Sequence, residues 1–478
     1  MGLYWGESEF KYAELLKQAS WVSARLIQQF GVRPGDRVGI WLKNRPEFVP
    51  AVFGILGAGA VMVPINNFLK AAEVSYILAD AGIDVLITEA ELAAFVPALQ
   101  GDRPGLRIFS VESFFSEPED GTWEYGVNLR AEADLAVIIY TSGTTGKPKG
   151  AMLSHGNLLH NVESCRIVLE TVDQDRMAVV LPLFHSYMLT VGMLLPLLVG
   201  GTMVLVKSLN QQRQIIQELC LRQATMLPAI PPLYRALASS PVPLKLPFRI
   251  CISGSAPLPL QVLNDFESKY GIPLIEGYGL SEASPVVAKN PIHGRRKAGS
   301  IGIPIPHVEM SIQDEEGQLL ASGVVGEICV RGGNVMQGYW NHPEETARAF
   351  RGQWLLTGDV GYRDEEGYYF ITDRKKDMLL VNGNNVYPRE IEEVIYQFPG
   401  VKEVAVIGLP DVRRGEQPVA YVAAMEGQTL QEEPILQYVK ERMADYKNPK
   451  RILFLPALPR NAMGKILKTE LRKIVTDL

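Results

Sequence analysis

Between residues 37 and 276, short apolar runs (RVGIWL, DVLIT, MAVVLP, RICIS) alternate with amphipathic stretches of helical length such as NQQRQIIQELCLRQ. A strand without a polar face must be covered on both sides, and a chain that returns through a helix lays its next strand parallel to the last. The alternation therefore predicts an α/β fold whose large N-terminal domain is built of mostly parallel sheets with helices. From about 300 to 373 the pattern changes to short alternating strands separated by DEEGQ and DEEGY, turn chemistry for antiparallel hairpins, which adds a small β subdomain. The charged run DRKKD (373–377) then breaks the chain. Beyond it, YPREIEEVIYQFPG sets Ile391, Val394, Ile395 and Phe398 on one helical face, with Pro388 near its start and Gly400 past its end. Strands VAVIGL and PVAYVAAM follow. Residues 1–375 and 376–478 are thus expected to form a large domain and a small, mobile α+β domain.

Two uncharged stretches, FVPAVFGILGAGAVMVPI (48–65) and YMLTVGMLLPLLVGGTMVLV (187–206), are long enough to raise a membrane span. Gly and Pro interrupt each where a helix would turn into a β-branched strand, so buried helix-turn-strand units are expected, and a loose peripheral membrane contact stays open. Cys165, Cys220, Cys251 and Cys329 show neither C-x-x-C spacing nor histidine pairing, which predicts buried free thiols in a reducing cytoplasm rather than a zinc site or disulfides. The opening MGLYWG lacks the regions of a signal peptide, and no targeting segment is expected. The formal charge is −6, yet residues 440–478 hold ten Lys/Arg against four Asp/Glu. That is too little basic surface to read nucleic acid, but it suits a small polyanion.

The stretch YTSGTTGKPKG (140–150) follows the apolar run LAVIIY. Gly143, Gly146 and Gly150 let the backbone approach a ligand closely. Thr141, Ser142, Thr144 and Thr145 supply hydroxyls, and Lys147 and Lys149 supply positive charge, a combination that fits phosphate. It is not the Walker pattern: Pro148 stands five residues after Gly143, and Ala151 five after Gly146, where that motif needs Gly-Lys-Ser/Thr.

Together with SGSAPL (253–258), EGYGLSEAS (276–284), LLTGDVG (355–361) and LPRNAMGKILKTELR (458–472), in that order, this stretch resembles the adenylate-forming, AMP-binding superfamily and within it the fatty acyl-CoA synthetase branch. The resemblance covers nearly the whole chain. It implies that Thr141, Ser142, Gly143, Thr144, Thr145, Gly146 and Lys149 hold the β and γ phosphates of ATP. Glu282 and the Thr144 hydroxyl would ligate Mg²⁺. Gly254, Ser255, Ala256, Glu276, Gly277, Tyr278, Gly279 and Ser281 would form the adenine side, with Tyr278 stacked on the base. Asp359 would accept from the ribose hydroxyls, Arg374 would reach the sugar or α-phosphate, and Lys465 would bridge carboxylate and α-phosphate. His185 would gate the passage from nucleotide to acyl site, next to Gly277. Lys376 would be the hinge pivot, and Gly383 and Asn384 in VNGNNVYP would be presented to coenzyme A.

The implied reaction has two steps: a carboxylate and MgATP give acyl-AMP and pyrophosphate, then the CoA thiol takes the acyl group and releases AMP. The stretches around His185 are apolar and PLFHSYML offers no carboxylate for an amino-acid ammonium, which predicts a medium- to long-chain fatty acid. Aryl acids remain open as substrates. So do a carrier-protein acceptor, a homodimer, and a nucleotide- or lipid-binding protein without catalysis.

Overall fold

The computed structural model describes residues 1–114, 128–141, 147–207, 212–240, 245–411, 413–461 and 464–475. Two large sheets organise the first three quarters of the chain. One has nine strands in the spatial order Ile303–Pro304, Val286–Lys289, Leu274–Gly279, Ile250–Ser253, Met226–Ala229, Arg176–Val179, Thr202–Leu205, Leu3–Trp5 and Ser8–Phe10. Its middle, from Leu274–Gly279 to Leu3–Trp5, is parallel and its edges are antiparallel. The other has seven strands in the order Gly338–Tyr339, Lys149–Ser154, Leu135–Thr141, Val61–Pro64, Arg37–Trp41, Val85–Thr88 and Arg107–Ser110, parallel from the third onward. Both are the buried strands the apolar runs predict: Val85–Thr88 and Ile250–Ser253, for example, are buried along their full length.

The two uncharged stretches fold as expected. The helix Phe48–Gly57 turns into the strand Val61–Pro64, and a wide π-helical turn, Met188–Leu194, runs through Leu195–Val199 into Thr202–Leu205. Among the described residues no helix is long and apolar enough to cross a membrane.

The hairpin expectation for 300–373 holds in full at one turn and only for a short stub at the other. DEEGY closes a true hairpin: Asp364 Oδ1 accepts from the amides of Glu366 and Tyr368, and Arg363 pairs with Tyr369. DEEGQ closes only a short stub: the Asp314 amide donates to the Gln318 carbonyl at 3.1 Å, Gln313 bridges Leu319, and the Leu320 amide donates to the Ile312 carbonyl at 2.9 Å. The chain leaves the ladder at Leu320 and turns again at Gly323 (φ +81°), so Val308–Gln313 pairs with Gly326–Gly332 instead.

From Leu379 onward a separate sheet forms, with Asn384–Val386, Leu379–Val381, Gly415–Ala424 and Val401–Asp411 in sequence across it and Ile452–Phe454 alongside Gly415–Ala424. The helix Pro388–Tyr396 seals it with fully buried Ile391 and Ile395. This core draws only on residues 379–452, while the main core of the two large sheets draws on residues 3–355.

Candidate active site

A cavity of about 1150 Å³ opens at the C-terminal ends of the strands Leu135–Thr141, Ile250–Ser253 and Leu274–Gly279. Open α/β sheets place ligands at such strand ends. Gly254, Ser255, Gly277, Tyr278, Gly279 and Ser281 line it. At Gly279 a Cβ would lie 2.3 Å from the Pro285 carbonyl oxygen, so glycine is the only residue the close approach of those strands permits. Ser253 Oγ, also on the wall, is buried and has no hydrogen-bond partner, a mark of a surface shaped for a polar guest. Tyr278 lines the cavity with its ring, and its hydroxyl donates to Asp359 Oδ2 at 2.5 Å. Arg374 Nε holds the other oxygen at 2.9 Å. Asp359 is therefore buried behind these two side chains with both oxygens engaged, and burial beside its carboxylate pushes the Tyr278 pKa up.

Residues 142–146, which include Ser142, Gly143, Thr144, Thr145 and Gly146, lie outside the described residues; their flanks do not. Lys149 is 9% exposed, donates to Glu345 Oε2 at 2.8 Å and rests over the ring of Tyr339. Tyr339 in turn donates to Glu282 Oε1 at 2.9 Å, an oxygen that Thr141 Oγ1 approaches at 3.5 Å. Glu282 is thus oriented by two hydroxyls, and no group of three or more His, Cys, Asp or Glu converges on it or elsewhere among the described residues.

The C-terminal unit reaches into the same cavity. Asn461 Oδ1 accepts the Lys465 amide at 2.9 Å and Arg460 is anchored to Glu403, which aims Lys465 at the wall beside Arg374 and Lys376. The Lys465 side chain is open to solvent at the mouth of the cleft. The protein surrounding it nevertheless pushes its pKa down to about 8, desolvation first and the Arg374 charge second. Eight described basic side chains line this cavity against four acidic ones, which makes it a positive cleft in a chain of net charge −6.

The model of the AMP-binding enzyme family matches residues 3–340, and that of the AMP-binding enzyme C-terminal domain matches residues 390–465. The chain belongs to the AMP-binding enzymes. It is 37% identical to a long-chain-fatty-acid–CoA ligase of Bacillus subtilis (strain 168), over 95% of this chain and 88% of that protein. It is 36% identical to a feruloyl-CoA synthase of Amycolatopsis sp., over 98% and 94%. The crystal structure of ATP-bound MatB from Rhodopseudomonas palustris superposes with a TM-score of 0.92 at 33% identity, over 100% of this chain and 96% of that one. The apo form of the same protein gives 0.80. The arrangement seen here, with Lys465 in the cleft, is nearer the ATP-bound one.

Most of the residues that the sequence singles out for an AMP-binding enzyme meet in this cavity, but not all. Glu276 lies behind it: the carboxylate is buried, accepts the Leu258 amide at 3.0 Å, and has its pKa raised to about 7 by desolvation, so it braces the SGSAPL segment. Ala256 is not among the lining residues, nor is Asp359, which sits behind Tyr278 and Arg374, nor are Gly383 and Asn384, which sit on the turn between Leu379–Val381 and Asn384–Val386. Lys376 lines the wall. Tyr339, Glu345 and Arg348 are, with Lys289 of another segment, among the site residues that the sequence did not single out. The segment of the first three, GYWNHPEETAR, carries no motif, and only the fold brings it to the phosphate side.

His185 opens the acyl end. Its Nδ1 accepts the Tyr187 amide at 3.2 Å, which leaves the proton on Nε2, and burial lowers its pKa to about 4, so the ring is neutral at pH 7. Ser186 meets Ser281 at 3.0 Å, and Thr190 on the π-helical turn donates to the Ser284 carbonyl at 2.9 Å, tying this wall to the Glu282 segment. Val191 from that turn, and Cys165, Val168 and Leu169 from the last turns of the helix His155–Leu169, continue the wall. The apolar stretches around His185 suggest a greasy tunnel. The cavity departs from that in one place, where Lys289 lines it.

Proposed function

We propose that the protein is an AMP-forming acid–CoA ligase in which Lys465, Lys149, Glu282, Asp359 and Arg374 act on one bound nucleotide. In the first step an oxygen of the substrate carboxylate attacks the α-phosphorus of ATP and pyrophosphate leaves. In the second the CoA thiolate attacks the acyl carbonyl carbon and AMP leaves. Carboxylate meeting phosphate is anion meeting anion, and the Lys465 ammonium between them screens that repulsion and gathers transition-state charge. Tyr278 and Arg374 hold Asp359 ready as an acceptor for sugar hydroxyls. The observation that carries the reading is the entry of Lys465, from a unit with its own core, into the cavity lined by Tyr278, Glu282 and Arg374.

Lys149 is released to a phosphate when Glu345 turns to Arg348, which already donates to it at 2.9 Å. Glu282 fits a magnesium ion that takes one protein carboxylate and completes its shell from phosphates and water, the way this hard ion is usually held. When bound, the ion neutralises charge on the departing pyrophosphate. His185, neutral and beside the acyl wall, separates the two substrates.

Lys376 is the pivot between the steps. Lys375 is tied to the large domain through its amide to the Gly358 carbonyl (2.9 Å) and its ammonium to Glu327, whereas Asp377 is tied to Arg472 of the C-terminal domain at 3.1 Å. Residue 376 is the one between the anchors. Gly383 and Asn384, outside the cavity here, are the face that rotation brings to CoA. Four free thiols, three of them buried and Cys220 half-buried, support a reducing compartment such as the cytoplasm.

A fatty acid of medium to long chain suits the Val168, Leu169 and Val191 wall, and the identity to the Bacillus ligase supports it. An aryl acid is the second reading, favoured by the charged Lys289 on that wall and by the identity to the feruloyl-CoA synthase. The test is exchange of labelled pyrophosphate into ATP across a ladder of carboxylic acids, followed by product analysis with CoA. Exchange that needs an acid and a thioester that needs CoA are expected; no exchange with any acid would overturn the reading.

A further inference from the structure

The strand Val286–Lys289 runs antiparallel to Leu274–Gly279, and its register sets Lys289 directly across from Gly277. Because Gly277 has no side chain, the lysine stem has room on the shared face and reaches the acyl wall of the cavity. Lys289 is only 6% exposed. Its ammonium donates to the carbonyl of the next residue, Asn290, at 3.2 Å. Among the described residues no carboxylate lies within ion-pairing distance; the Cys165 thiol and Glu170 are the groups whose charge it senses. An ammonium carries three donors, and a buried donor left without an acceptor is costly. A plain alkyl or aryl tail against this wall would leave that cost in place; an oxygen at the tail would remove it.

We propose that Lys289 sets specificity: the acid activated here carries an oxygen acceptor (a hydroxyl, carbonyl or second carboxylate) at the end remote from the reacting carboxylate, and Lys289 donates to it. The inference rests on the ligase reading above and names the substrate class for it. Burial lowers the lysine pKa to about 8, so the group is still a cation at pH 7. Sites built around a buried donor reject analogues that lack the matching oxygen far more strongly than apolar pockets reject a change of one methylene.

The test compares matched acids by kcat/KM in acid-dependent pyrophosphate exchange: octanoate, 8-hydroxyoctanoate and suberate, and cinnamate with 4-hydroxycinnamate. The wild-type enzyme is expected to favour an oxygenated member over its parent by tenfold or more in at least one series. The preferred member tells hydroxyl from carboxylate. Lys289→Met is expected to abolish or reverse that preference while keeping turnover of the parent acid, and Lys289→Gln, which retains a donor, to restore part of it. Equal use of parent and oxygenated acids by the wild type overturns the proposal without any variant, and so does a preference that survives in Lys289→Met. Absence of exchange with every acid instead overturns the ligase reading and this inference with it.

Discussion

Replacing Lys289 by methionine tests whether a cation is buried there, independently of any substrate. Its pKa falls from the ordinary 10.5 to about 8, chiefly by desolvation, and the residue is 6% exposed. At 1.36 kcal/mol per pH unit, the charged form therefore costs the native state roughly 3 kcal/mol. A lysine whose native pKa is depressed destabilises the fold wherever it is protonated. Below about pH 8 the cost is complete, and between 8 and 10.5 the unfolded chain holds a proton the native chain has lost, so stability rises with pH across that window. Lys289→Met is thus expected to be more stable than wild type by roughly 3 kcal/mol at pH 7 and by about 1.5 kcal/mol at pH 9.5. Any difference in packing between the two side chains is independent of pH, so the narrowing, roughly 1.5–2 kcal/mol, is the part due to charge. Urea denaturation followed by tryptophan fluorescence reads the relevant region, since Trp5, Trp21, Trp41, Trp123, Trp340 and Trp354 all precede the C-terminal domain. A stability gap that is flat from pH 7 to 9.5 would refute the reasoning, because it would mean that Lys289 titrates alike in the native and unfolded states.

Lys465→Ala is expected to slow acyl-AMP formation by on the order of a hundredfold or more while conversion of supplied acyl-AMP with CoA stays near normal; equal loss of both half-reactions would contradict the bridging role. Lys473→Ala is the charge control, since Lys468, one turn from Lys465, is itself anchored to Glu392 at 2.8 Å. Lys376→Pro places proline at the third position of the turn closed by the Asp377 amide on the Arg374 carbonyl, and should impair thioester formation more than adenylation; unimpaired thioester formation would remove the pivot from residue 376. At Gly277 a Cβ makes only ordinary contacts, 3.6 Å to the Ala288 oxygen and 3.7 Å to Lys289 Cβ, so Gly277→Leu should fold and shift preference toward shorter acids by tenfold or more. An unchanged chain-length profile would place the acyl tail elsewhere.

The parallel sheets were legible because strands such as Ile250–Ser253 are covered on both faces and so read as unbroken apolar runs. The cavity was legible wherever a motif is local, as in EGYGLSEAS. Pairings across the fold were not. Lys149 and Glu345 are separated by 196 positions, and Tyr339 and Glu282 by 57, and nothing in either segment announces its partner. Lys289 ends the run VVAK and reads as an ordinary surface lysine at a strand end. It is buried because its strand lies inside the sheet with a glycine opposite, a fact of register rather than of composition. DEEGQ and DEEGY make the same point about turns: near-identical chemistry yields a full hairpin only where the following strand goes on to pair.

The excess of basic side chains around the cavity bears on traffic through it. An incoming MgATP is an anion, and a positive cleft with low-dielectric walls draws it in faster than diffusion against a neutral surface, an advantage that fades as salt shortens the Debye length to about 8 Å at physiological ionic strength. The same attraction acts on pyrophosphate, which carries its charge out against it. Added salt should therefore lower kcat/KM for ATP and, at saturating ATP, hasten pyrophosphate departure, so the two ends of the reaction respond to ionic strength with opposite signs. Retained pyrophosphate also returns acyl-AMP to ATP, and an enzyme with this lining commits to product only when CoA arrives or pyrophosphate escapes.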